Sequence, residues 1–152
     1  MRVFSEDEAA RLCELLQQEL EGFSGILKLI NEQTASIEAD NTDNFIETLD
    51  RTQELITIID GLHRESNELM QSYKSHAGTI GEGKTTEIDT IYGKLESIIV
   101  ECAGLIEKNT IAAKEKNQDY IERIGRLNLN RKSIGSYIQK VASAPEIFDK
   151  KM

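Results

Sequence analysis

The chain has 152 residues, of which 39% are hydrophobic, 30% charged and only 5% aromatic, with one proline and no tryptophan. That length fits one domain, and the lean aromatic content points away from a globular α/β enzyme and toward long solvated helices. A net charge of −9 argues against a nucleic-acid phosphate partner.

The first ten residues, MRVFSEDEAA, lack the apolar stretch of a secretory signal. Ser5 followed by Glu8 reads as a capping box: the hydroxyl accepts a backbone N–H while the carboxylate reaches back. Glu6, Asp7 and Glu8 suit the positive end of a helix dipole. Apolar residues then fall at Ala9, Leu12, Leu16, Leu20, Phe23, Leu27, Ile30 and Ile37, in steps of three or four with Thr34 in the one gap. This spacing predicts a first helix of roughly 30 residues, about 50 Å long. Leu15, Ile26 and Leu29 widen the stripe as a bundle helix needs.

The segment Glu38 to Asn44, EADNTDN, breaks that stripe with turn-forming Asp and Asn. A second stripe follows at Phe45, Leu49, Ile56, Ile59, Leu62, Leu69 and Tyr73, with Thr52 and Ser66 at polar steps. Gly61 falls inside it and costs the helix about 1 kcal/mol. His63 is expected at the edge of this stripe. The helix should fade between Ser75 and Gly78.

Gly78 to Thr86, GTIGEGKTT, is the clearest loop in the chain. Its first eight residues fit the phosphate-loop spacing G-x-x-x-x-G-K-[ST] letter for letter. That chemistry needs the loop to leave a β-strand and open a helix. The residues before it read as helix, so an interhelical loop with Thr86 as the next N-cap is the expectation.

A third stripe contains Ile88, Tyr92, Leu95, Ile99, Cys102, Ile106, Ala113, Tyr120 and Leu127, with Asn109, Lys116 and Arg123 on the same seam. Its length would be roughly 40 residues and about 60 Å. Beyond Lys108 the seam turns polar, which predicts a less well packed second half. Ile134, Tyr137, Ile138 and Val141 then form a two-turn amphipathic stripe, too short to be stable alone in water. Pro145 ends it. Residues 126–152 carry six basic and two acidic groups, a net +4, which leaves −13 for residues 1–125. Such asymmetry suggests a tail with its own partner, or one that complements the acidic body.

Candidate chemistry is sparse. Di-iron bundles use Glu-x-x-His pairs on facing helices; this chain has two histidines, and Asp60-x-x-His63 occurs once. No metal, cofactor or Ser/His/Asp set is expected. Cys13 and Cys102 fall at or beside apolar helical positions and read as buried reduced thiols. No apolar run approaches 18 residues, so no stable membrane insertion is expected and a cytoplasmic location is the simplest reading. The sequence thus predicts an all-α protein: an antiparallel bundle of three long helices in residues 1–127, with a short C-terminal helix or flexible tail in residues 128–152.

The stretch from Leu12 to Glu65, with Leu12, Leu15, Leu16, Glu19 and Leu20 near its start and Glu32, Ile37 and Asp40 before the second helix, resembles the N-terminal half of FlgN-type flagellar export chaperones. LNLNRKSIGSYI, Leu127 to Ile138, resembles the C-terminal segment of the same family. FliT-type chaperones share much of this pattern. The resemblance implies a non-enzymatic, cytoplasmic helical protein of type III flagellar export. It would bind the terminal helices of hook-associated (hook–filament junction) proteins and deliver them to export-gate components. It also implies that the client is held by the C-terminal part, by helix-in-groove recognition. Carried over by position, the candidates are Ile121, Ile124, Leu127, Ile134, Tyr137, Ile138 and Val141, with Tyr137 as an anchor. The same residues read equally as a fourth helix packed on the bundle. A structural coiled-coil or adaptor protein without an export role is the other reading of the whole chain, and exposed seams on long helices leave room for a homodimer in either case.

Overall fold

The computed structural model describes residues 4–76 and 80–116. They form three helices: α1 (Glu6–Glu38), α2 (Thr42–Ser75) and α3 (Glu82–Lys116). The protein is an all-α three-helix bundle, as the three stripes predict.

α1 begins where the capping box places it. Ser5 Oγ accepts the Glu8 N–H and Glu8 Oε1 accepts the Ser5 N–H, both at 3.1 Å. Phe4, one residue earlier, is buried and its ring lies 5.6 Å from that of Tyr73 at the far end of α2. This contact clamps the start of the chain onto the bundle.

The α1–α2 turn is shorter than EADNTDN suggests, because Thr42 and Asp43 already belong to α2. Only Ala39, Asp40 and Asn41 lie between the helices. The Asn41 N–H donates to Ser36 O at 2.9 Å and the Asp40 N–H to Ile37 O at 3.2 Å, a Schellman closure. Asn41 also caps α2 by accepting the Asn44 N–H. One residue thus closes one helix and opens the next. The closure forces Asp40 to φ 55°, a left-handed conformation that disfavours a side chain. Asp40→Gly should therefore stabilise the protein by about 0.5–1 kcal/mol. A raised urea midpoint with unchanged slope is the expected result, and a lowered midpoint would contradict it.

α1 is the central helix and packs along both others. Arg11 meets Glu65, Glu19 meets His63 and Gln33 meets Thr52, so α1 and α2 are antiparallel. Phe23 O meets Cys102, Ile30 O meets Asn109 and Asp40 meets Lys116, so α3 runs parallel to α1. α2 and α3 touch near their connection, where Tyr73 Oη donates to Asp89 Oδ1 at 3.0 Å and Lys74 Nζ lies 5.8 Å from the Tyr92 ring centre. Gly22 of α1 lies close against Ile59 of α2. A Cβ there would sit 2.8 Å from Ile59 Cγ1, so only glycine allows this spacing.

The main core joins Leu12, Leu16, Phe23, Ile26 and Ile30 of α1 to Ile56, Ile59 and Met70 of α2 and Ile88, Leu95 and Ile99 of α3. A second, smaller cluster of Ile37, Phe45, Leu49 and Ala113 lies at the other end of the bundle.

Three expectations need correction. α3 starts at Glu82, not at a Thr86 cap, because the Thr85 N–H already donates to Gly81 O. His63 is not at the edge of its stripe but buried, facing Glu19. The seam beyond Lys108 is not left unpacked within the described part: Asn109 and Ala113 are both buried. Asn109 remains inside because α1 supplies its hydrogen-bond partners. Lys116, the last described residue of α3, lies level with the α1 C-terminus through its ion pair with Asp40.

Candidate functional site

Two polar arrangements lie inside the helices, and neither follows from apolar spacing. The first is the pair of Glu19 on α1 and His63 on α2. Glu19 Oε1 lies 3.2 Å from His63 Nδ1. Glu19 is 0% exposed and His63 8%. A carboxylate facing Nδ1 favours the ring tautomer with its N–H there. Tyr92 of α3 belongs to the same neighbourhood: burial pushes its hydroxyl pKa up, and the charges of Glu96 and Glu19 push it further. In residue type the pair matches two members of a catalytic triad, but Glu19 has no exposed surface for a substrate to reach. Its geometry suits holding α1 and α2 in one register.

The second arrangement is a polar layer across all three helices. Gln33 Nε2 donates to Thr52 Oγ1 of α2 at 3.1 Å. The neighbouring Thr34 Oγ1 lies 2.7 Å from Asn109 Oδ1 of α3, and Asn109 Nδ2 donates to Ile30 O at 3.2 Å. One turn further on, Asn44 Nδ2 donates to Ser36 Oγ at 2.7 Å. Adjacent residues of α1 thus engage both neighbours at the same height.

The phosphate-loop spacing leads to no such site among the described residues. The segment joins two helices, with α2 ending at Ser75 and α3 starting at Glu82. The required strand is replaced by α2, and Lys84 pairs with Glu87 at 3.3 Å within its own helix.

Both cysteines are free and buried. Burial pushes the Cys102 thiol up to about 12, with a smaller contribution from Glu101, and its Sγ lies 3.8 Å from Phe23 O. The thiolate is the reactive form, so this thiol is inert in the folded protein. The same shift has a consequence for stability. An unfolded chain ionises Cys102 near the ordinary 9.0 while the folded chain keeps the proton to about 12. Between those values the unfolded state binds fewer protons, so stability falls as pH rises. By pH 10.5 the loss from this group is about 2 kcal/mol. Urea melts at pH 8 and pH 10.5 should show that loss in the native protein and a smaller one in Cys102→Ala; equal losses would remove the thiol as its source.

On the surface, Arg11 grips Glu65 with two hydrogen bonds of 2.6 and 2.9 Å. The guanidinium holds the Glu65 carboxyl below its usual range. Both groups are solvated, so the pair aligns α1 with α2 more than it stabilises them. A shallow open groove of about 540 Å³ runs between α1 and α3, lined in part by Leu20, Ser24, Gly93, Ser97 and Ile98. Large apolar side chains exposed among the described residues are Ile58, Val100 and Ile111. No described helix is long and apolar enough to cross a membrane.

The seven candidate partner-binding residues, Ile121, Ile124, Leu127, Ile134, Tyr137, Ile138 and Val141, all lie outside the described residues. Compared with known proteins, the chain matches no family model, no curated protein and no solved structure.

Proposed function

We propose that the protein is a cytoplasmic, non-enzymatic export chaperone of FlgN type, which holds hook-associated flagellar proteins and hands them to the export gate. The observation that carries this reading is how the apolar residues are divided. The described helices bury their own seam down to Ala113, and the sequence holds seven further apolar candidates beyond Lys116. A bundle that buries its own seam makes a scaffold, and a separate amphipathic segment can bind an apolar client helix by burying a matching stripe. The sequence resemblance supports the same division, and so does the charge: a basic end on an acidic body.

The test is titration of the full chain with the terminal helices of a hook–filament junction protein, beside a chain ending at residue 130. The full chain should bind in a defined complex. The shortened chain should keep its helical circular dichroism and lose at least tenfold in affinity. Equal binding by the two would sink the C-terminal assignment. Absence of binding to any junction protein would leave the structural coiled-coil or adaptor reading, and gel filtration would then show whether the long helices serve a homodimer.

A further inference from the structure

We infer that the end of the bundle beyond the polar layer opens as a separate cooperative unit while the main core stays folded. This goes beyond the chaperone reading and does not rest on it. The observation is that the core is divided. On one side of the layer lies the large cluster running from Phe4 to Cys102. On the other, four buried apolar residues, Ile37, Phe45, Leu49 and Ala113, hold three helix segments together. The buried Ser36 and Thr48 sit among the same segments, and they add hydrogen bonds but little transfer energy.

What separates the clusters is Gln33 with Thr52 and Thr34 with Asn109. These groups are satisfied when the helices are closed, and water can satisfy them when that end opens. Breaking apolar contact across a plane of amides and hydroxyls therefore costs less than breaking it across packed methyl groups. Two further features favour opening. Asp40 is held at φ 55°, which release of the turn would relieve. The only ion pair among the described residues that joins α3 to this turn is Lys116 with Asp40, at 3.2 Å and exposed, so it adds little. Opening would uncover Phe45, Leu49 and Ala113 next to the point where the chain continues past Lys116.

Simple fraying of helix ends would also loosen these residues, and native-state hydrogen exchange separates the two. Amides of residues 36–38, 46–51 and 110–114 should share one opening constant. It should be at least 100-fold larger than that of amides near Phe23, Ile59 and Ile99. Its urea slope should be common to all three segments, above zero and below the slope of global unfolding. A residue-by-residue gradient with no urea slope would mean fraying and would overturn the inference; so would exchange only at the global slope. Thr34→Val combined with Asn109→Leu joins the clusters with apolar packing and should reduce the 100-fold difference at least tenfold. If that variant does not fold, the urea slopes of the native protein decide alone.

Discussion

Glu19→Ala is expected to cost the protein about 3–5 kcal/mol, more than any surface change described above. Glu19 is fully buried and faces His63 Nδ1 at 3.2 Å. Alanine removes the carboxylate, leaves a void between α1 and α2, and strips the buried ring of this partner. His63→Ala should cost a comparable amount, because the carboxylate then loses the ring that faces it. The two losses will not add, since they break one contact. Glu19→Leu combined with His63→Leu is the informative control. Replacing both members of a buried polar pair with apolar groups is often neutral or stabilising by about 1–4 kcal/mol. Urea unfolding of the four chains measures all of this. A single Glu19→Ala loss below about 1 kcal/mol would mean that water already reaches the pair.

The same pair shows what could be read from the sequence and what could not. Steps of three and four placed Ala9, Leu12, Phe23 and Ile30 on one face, and the structure buries all four. Such spacing is a property of one helix, so it survives any choice of neighbour. Ser5 with Glu8 is equally local, and the predicted capping box is present. Glu19 and His63 differ because their burial depends on the residue opposite, 44 positions away in the chain. A carboxylate at the centre of an apolar stripe was the available signal. Glu19 lies three residues past Leu16 and four before Phe23, which places it on the buried face. Asn109 gave a similar signal, being on the seam yet polar; the polarity suggested loose packing where the structure has a hydrogen-bonded layer. Helix starts were displaced for a local reason. Asn41 and Gly81 begin their helices earlier than the first apolar residue does, because first-turn positions need no apolar contact. The candidate client-binding residues rest on the resemblance and the C-terminal stripe, and the described residues do not reach them.

Phe23→Ala and Phe45→Ala remove the same side chain from two fully buried sites, yet they should differ in measured effect. Phe23 lies in the main cluster and Phe45 in the small one beyond the polar layer. Phe23→Ala should lower global stability by about 3–5 kcal/mol, the usual range for a buried phenylalanine. Phe45→Ala removes a comparable contact, but its visible cost has a ceiling. Once that end of the bundle is open in the variant, further loss there no longer affects the rest of the molecule. The drop in global stability is then limited to the free energy that closes that end in the native protein. The expected pattern is a large shift of the urea midpoint at constant slope for Phe23→Ala. Phe45→Ala should show a smaller midpoint shift and a reduced slope, because less surface remains to be exposed. Equal losses at equal slope would show that the two clusters unfold as one. In that case the polar layer would serve only to fix the register of α1 against α2 and α3, through Gln33 and Thr52 on one side and Thr34 and Asn109 on the other.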